Sequence, residues 1–203
     1  MVDPLFFDPR PAPPGPGRLG HPSSLDHMES TRSDDAGRWL PLDFVLPQRV
    51  PVPPDHHLRP IRESDVEIDY PAVMGSRERL WTIFGEAWGW PSESLTFEMD
   101  AADLARHERE MNENLSFNYA LLNERESMLF GCVYIDPPER VGADADISWW
   151  VVDEFAESPL ASSLDEVVPQ WIARSWPFRE PRFIGLDISW GDWIRLPRPR
   201  TQP

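Results

Sequence analysis

The chain has 203 residues, and its 35 acidic and 19 basic side chains give a formal net charge of −16. This balance excludes a general binder of nucleic acid or of anionic membranes, because phosphate contacts need a positive surface. Every one of these basic residues is arginine, so lysine Schiff-base chemistry and a Walker-type phosphate loop are excluded as well. The chain has a single cysteine, Cys132, which excludes an internal disulfide. A membrane-spanning helix needs about 18 consecutive apolar residues, and no apolar run in the sequence approaches that length. We therefore expect a soluble, cytoplasmic protein without a metal site.

Proline usage divides the chain into segments. Thirteen of the 24 prolines lie in residues 1–60, and residues 1–38 show no hydrophobic period, which predicts a disordered, proline-rich extension. Residues 39–55 carry apolar side chains between prolines and are expected to form an extended arm. Residues 56–196 are then the folded domain, which is long enough to bury about two-thirds of its surface, and residues 197–203 are a flexible tail.

The first half of this domain has helical periodicity. After a short extended segment at 57–62, the apolar residues of 65–84 fall on one helical face, which predicts one helix that Pro71 kinks or begins. An aromatic loop over 85–91 follows and carries Trp88 and Trp90. A second helix is predicted over 99–114.

The second half contains most of the predicted strands. Runs rich in β-branched and aromatic residues predict strands at 117–122, 128–135 and 146–152. An amphipathic helix from residue 160 and a last strand at 182–185 follow, with a short helix or turn at 189–196. This order predicts an α/β (α+β) fold, in which helices flank a mixed, mostly antiparallel central sheet.

Three segments in this order resemble the GNAT superfamily of N-acetyltransferases: LRPIRESD at 58–65, LFGCVYI at 129–135 and ISWWVV at 147–152. The resemblance covers about residues 56–188, and GCVYIDPP at 131–138 and WPF at 176–178 are similar to a short bacterial branch. It implies transfer of an acetyl group from acetyl-CoA to a small-molecule or peptide amine. It also implies that acetyl-CoA binds in a V between the strands at 146–152 and 182–186. A homodimer is a further expectation.

The resemblance implies where the cofactor would lie. The strand backbone would pair with the pantetheine arm, and the start of the next helix would hold the pyrophosphate, because the amides and the positive end of a helix favour anions. Ser158 and Pro159 form a good helix start, as N-cap and first helical residue. A capping-box pattern at 163–166 offers a later start. The cofactor-binding candidates are Trp150, Val151, Val152, Glu157, Ser158 and Leu160.

The pyrophosphate loop departs from the family pattern, which is Arg/Gln-x-x-Gly-x-Gly/Ala. Its three defining positions are Glu154, Glu157 and Pro159 in this chain. Glycine would let the backbone approach phosphate closely, whereas proline has no N–H to donate and carboxylates repel phosphate. Three functions therefore stay open: a working N-acetyltransferase, a catalytically inactive GNAT-like interaction module that has lost acetyl-CoA binding, and a related acyltransferase that uses a bulkier acyl-CoA.

The catalytic candidates lie on two strands. Tyr134 is a candidate general acid, and Asp136, which shares its strand face, is a candidate base. Asp146 at the start of the next strand is a second candidate base. Each also has a structural interpretation: a half-buried tyrosine, a carboxylate that caps a turn, and a solvated strand end. The candidate substrate-binding residues are Trp88, Trp90 and Trp149, which are equally suited to packing.

Overall fold

The computed structural model describes residues 39–41 and 43–199. The predicted extension over 1–38 lies outside the described residues, as do residues 200–203 of the predicted tail. The described residues form six strands and five α-helices: β1 (Val50–Val52), β2 (His56–Pro60), α1 (Val66–Gly75), α2 (Arg77–Trp88), α3 (Phe97–Asn112), β3 (Phe117–Asn123), β4 (Leu129–Asp136), β5 (Ala145–Val151), α4 (Pro159–Ser175), β6 (Pro181–Phe183) and α5 (Trp190–Arg195).

The strands form one six-stranded sheet in the order β1-β2-β3-β4-β5-β6. All neighbouring pairs are antiparallel except β5 and β6, which are parallel and are connected through α4. A parallel pair needs such a crossover, because a tight turn can only reverse the chain. The predicted α/β fold with a mostly antiparallel sheet is confirmed. The predicted arm at 39–55 contains the edge strand β1, which the sequence did not reveal.

Helices cover both faces of the sheet, so β3 and β4 are buried along nearly their whole length. On one face the ring of Tyr119 packs edge-on against Trp171 of α4, with 4.8 Å between the centroids. On the other face the ring of Tyr134 packs edge-on against Phe84 of α2, at 6.4 Å. The core therefore has two layers, and the predicted catalytic residue Tyr134 lies in the layer beneath α2.

The prediction of one helix over 65–84 was wrong. The chain forms two helices, α1 and α2, and it breaks at Ser76 although Pro71 lies inside α1. The Ser76 hydroxyl oxygen accepts the N–H of Asp153 at 3.0 Å, which ties the break to the end of β5. The second helix also continues through Trp88, which the sequence placed in a loop. No helix within residues 39–41 and 43–199 has the length and apolar content needed to cross a membrane.

The predicted start of α4 at Ser158 and Pro159 is confirmed. Ser158 is the N-cap, and its hydroxyl oxygen accepts the N–H of Leu160 at 3.2 Å. The later start was wrong, because Ser163 lies inside the helix and donates to the Pro159 carbonyl at 2.9 Å. Proline is favourable at the first helical position, because the N–H that it lacks would have no partner within the helix. Ser158 and Pro159 were therefore sufficient to predict where α4 begins.

Candidate active site

Strands β5 and β6 pair over only three residues and then diverge. Ala145, Asp146 and Ile147 pair with Pro181, Arg182 and Phe183, and the Ile184 N–H donates to the Ile147 carbonyl at 2.8 Å. After this bond the chain of β6 turns away, and Gly185 donates to Ile188 instead. Within the described residues, the last four residues of β5 therefore have a strand partner on the β4 side alone.

The open edge of β5 presents specific backbone groups. Successive residues of a strand point their N–H and C=O groups to alternate sides. Because Ile147 bonds toward β6, Trp149 and Val151 point toward the same edge, whereas the Val152 N–H donates to Phe130 of β4 at 2.8 Å. An extended ligand that carries amides can pair with this edge as an added strand.

The loop between β5 and α4 uses its amides internally. A 3-10 turn spans Asp153–Phe155, and Phe155, Ala156 and Ser158 donate their N–H groups to carbonyls of the same loop at 2.9–3.2 Å. Pro159 has no N–H to donate. The loop therefore offers an anion fewer amides than a glycine-rich loop would.

An arginine that the sequence analysis did not single out lies at this edge. Arg79, in the first turn of α2, donates from Nη2 to the Val151 carbonyl and from Nε to Asp153 Oδ1 at 2.7 Å. It lines a cleft of about 440 Å³ together with three carboxylates and the helix start: Asp153, Glu154, Ala156, Glu157 and Ser158. Nothing local in the sequence distinguishes Arg79, because its contacts are 72 and 74 residues away.

Four of the predicted site residues meet on the α2 face of the sheet. The indole N–H of Trp150 donates to the Tyr134 hydroxyl oxygen at 2.9 Å. The Trp88 ring lies 5.9 Å from the Tyr134 ring, and the Trp90 ring lies 6.1 Å from that of Trp150. The indole nitrogen of Trp88 is buried with no hydrogen-bond partner among the described residues. The cluster thus joins one phenol to three tryptophans at the start of the open edge.

Asp136 and Trp149 have partners outside this cluster. The Ser116 hydroxyl donates to Asp136 Oδ1 at 2.6 Å, at the end of β4. Trp149 points to the opposite face of the sheet, where its indole N–H donates to Asp165 of α4 at 3.1 Å and its ring lies 6.2 Å from Phe183. The structure therefore separates Trp149 from the other two tryptophans that the sequence grouped as substrate-binding candidates.

Asp146 is buried at the opposite end of β5. Its Oδ2 accepts the indole N–H of Trp193 and the backbone N–H of Glu139, both at 3.1 Å. Its Oδ1 lies 3.4 Å from the Arg182 guanidinium. Burial raises the pKa of Asp146 to about 6, although these three partners oppose the rise. The carboxylate anchors α5 to the sheet and is still largely ionised at neutral pH.

A buried carboxyl pair lies between α1, which contains Asp69, and α3, which contains Asp100. Asp69 and Asp100 are each less than 5 % exposed, and burial together with the nearby charge of Asp100 raises the pKa of Asp69 well above its ordinary value. The Sγ of Cys132 lies 3.9 Å from Asp69 Oδ1, and burial next to this acid raises the pKa of the thiol well above its ordinary value. Cys132 is therefore a core residue and not an activated nucleophile. No group of three or more His, Cys, Asp or Glu side chains among the residues described could hold a metal ion.

No protein-family model matches the chain, and no curated protein matches it in sequence. Solved structures do match. The apo RimL ribosomal L7/L12 alpha-N-protein acetyltransferase superimposes with a TM-score of 0.52 at 16% identity, over 67% of this chain and 70% of that chain. A Salmonella typhimurium acetyltransferase that modifies the N-terminal serine of ribosomal protein L7/L12 gives 0.54 at 15% identity, over 67% and 74%.

A third structure is the microcin C7 self-immunity acetyltransferase MccE in complex with acetyl-CoA and AMP. Its TM-score is 0.56 at 11% identity, over 68% of this chain and 73% of that one. At these identities the match concerns the fold alone. The chain has the fold of the GNAT acetyltransferases.

Proposed function

We propose that this protein is an N-acetyltransferase that transfers the acetyl group of acetyl-CoA to a small amine or a peptide amine. The observation that carries the proposal is the divergence of β5 and β6 after Ile147. It leaves an open strand edge that leads directly to the N-terminus of a 17-residue helix. The amides of a pantetheine arm suit such an edge, and the diphosphate would then lie at the helix start.

The chemistry follows from the cluster at this edge. The amine nitrogen attacks the thioester carbonyl, the C–S bond breaks, and the thiolate that leaves takes a proton. In this proposal Tyr134 donates that proton, held in place by the N–H of Trp150. A carboxylate takes the proton lost by the amine, directly or through water. The candidates are Asp136 and Asp146, and the latter keeps enough negative charge at neutral pH.

The acceptor would meet aromatic and acidic surface. The Trp88 ring lies 5.9 Å from that of Tyr134, and the Trp90 ring lies 6.1 Å from that of Trp150, so these indoles would form one wall of the acceptor site. A net charge of −16 attracts a cationic amine over a long range. Two of the matched enzymes are named for acetylating ribosomal proteins, which supports a peptide amine as one acceptor class. A cytoplasmic location and a homodimer belong to the same proposal.

The test is the release of thiol from acetyl-CoA in the presence of a panel of peptide and small-molecule amines. We expect amine-dependent release by the wild type, and a kcat about 100-fold lower for Tyr134→Phe, since a positioned general acid contributes about 10²–10⁴-fold. An unchanged far-ultraviolet spectrum and melting temperature of the variant would show that it is folded. Equal rates with and without amine for the whole panel would contradict the proposal.

The second candidate function is an inactive interaction module with the same fold. It is favoured by the loop at 153–158, whose amides are used internally and whose cleft contains three carboxylates. Such a module would bind neither acetyl-CoA nor CoA. The thiol-release assay distinguishes the two functions only if the binding of acetyl-CoA is measured as well.

A further inference from the structure

The guanidinium of Arg79 binds the Val151 carbonyl, which is the last backbone acceptor of the open strand edge. It donates to the Val151 carbonyl while its Nε binds Asp153, so the side chain bridges α2 and the end of β5. The Arg79 side chain is 31% exposed, so that a ligand in the cleft can reach it. A ligand that extends along β5 needs this same carbonyl, and it can bind there only if Arg79 gives up the bond.

The cleft around Arg79 has an unfavourable charge for an anion. Its lining includes the carboxylates Asp153, Glu154 and Glu157, and Arg79 is the one cation among the described lining residues. Its contact with Asp153 already neutralises one of the three. A diphosphate in the cleft would therefore face two uncompensated carboxylates, both exposed to solvent and screened by it.

We infer that Arg79 is the residue that recognises the diphosphate of the acyl donor, and this inference rests on the proposed function. In the absence of the donor, Arg79 holds the Val151 carbonyl. On binding, the amide of the donor takes over this carbonyl, and the guanidinium turns to the phosphate oxygens. A planar guanidinium suits this role because it forms two parallel, charge-assisted bonds to phosphate.

The exchange accounts for one departure of the loop from the family pattern. Glu154 stands where the family pattern has Arg or Gln, and the chain has no lysine to supply a replacement. Arg79 supplies the missing positive charge to the same cleft from a different helix. Affinity for the diphosphate then depends on one side chain instead of a row of glycine amides.

The test compares Arg79→Gln with Arg77→Gln. Arg77 lies two residues earlier in α2, binds Glu93 at 3.0 Å and does not line the cleft, so its replacement removes the same charge from the same helix. The probes are acetyl-CoA and acetyl-pantetheine, which has no phosphate. We expect Arg79→Gln to weaken acetyl-CoA binding about 10- to 100-fold, as for a lost hydrogen bond between charged groups. Acetyl-pantetheine binding should be unchanged or tighter, and Arg77→Gln should bind both probes like the wild type.

A second variant protects the test against misfolding. Arg79→Lys keeps the charge and is expected to recover part of the acetyl-CoA affinity. Acetyl-CoA binding by Arg79→Gln that equals wild-type binding would overturn the inference and leave the proposed function standing. An equal loss for both probes would also overturn it, since Arg79 would then support the strand edge alone. A wild type that binds neither probe would overturn the proposed function and this inference together.

Discussion

Gly131→Ala is expected to destabilise the fold by more than about 4 kcal/mol or to abolish folding, because the added methyl group would clash with backbone. Gly131 lies in β4 opposite Val151, with a φ of +155°. A Cβ at this position would lie 1.9 Å from the carbonyl oxygen of Trp150 and 2.8 Å from its carbonyl carbon. The atoms in its way are backbone of β5, which can move only if the central strand pair separates.

Chemical denaturation of the purified variant measures this effect, and Gly75→Ala is the matched control. Gly75 ends α1, and a Cβ there would meet no atom within 4 Å. We expect this control to lie within about 1 kcal/mol of the wild type, or above it, since alanine is the better helix former. A Gly131→Ala protein as stable as the wild type would show that β4 and β5 do not approach as described.

Asp69→Asn is expected to raise the stability at pH 8 by about 1–3 kcal/mol, because it removes a buried acid that is costly to ionise. Burial, followed by the nearby charge of Asp100, raises the pKa of Asp69 well above 3.8. Burial also raises the pKa of Asp100 from 3.8 to about 7. Asparagine keeps the shape of Asp69 and carries no charge.

The direction in which stability changes with pH follows from proton linkage. Above pH 3.8 the unfolded chain loses protons from both acids, whereas the folded chain keeps the proton of Asp100 up to about pH 7 and holds that of Asp69 well above pH 3.8. The stability that the two protonated carboxyl groups give the folded chain is therefore complete below pH 3.8, and it is lost as the pH rises through their folded pKa values. Denaturation from pH 4 to pH 9 should show a falling wild-type curve and a flatter one for Asp69→Asn.

The control is Glu86→Gln, which removes an exposed carboxylate from α2. It changes the net charge by the same amount and should follow the wild-type curve within about 0.5 kcal/mol. Parallel curves for the wild type and Asp69→Asn would contradict the buried carboxyl pair.

Much of the fold could be predicted because its signals are local. Ser158 and Pro159 determine where α4 begins within two residues of chain, and the runs of aromatic and β-branched residues mark β3, β4 and β5 to within one residue at each end. The break at Ser76 could not be predicted, since it depends on a hydrogen bond to Asp153 across the fold. The strand β1 has three residues, one of them proline, and only its pairing with β2 identifies it.

The site was harder to predict than the fold. Tyr134 and Trp150 were named as candidates with the help of the family resemblance, and the structure joins them by a hydrogen bond. Trp149 was grouped with Trp88, but alternate residues of a strand face opposite sides and α4 covers the side of Trp149. Arg79 is one half-buried arginine on a charged helix, and only the tertiary structure places it at the edge of β5.

A calorimetric titration of the full chain with acetyl-CoA tests the proposed N-acetyltransferase function most directly. The open edge of β5 and the guanidinium of Arg79 predict binding with a Kd of about 100 µM or tighter, equivalent to about −5.5 kcal/mol. Free CoA should compete for the same site. If millimolar acetyl-CoA gave neither a heat of binding nor thermal stabilisation, the proposed N-acetyltransferase function would be contradicted. The chain would then be an interaction module with an acetyltransferase fold.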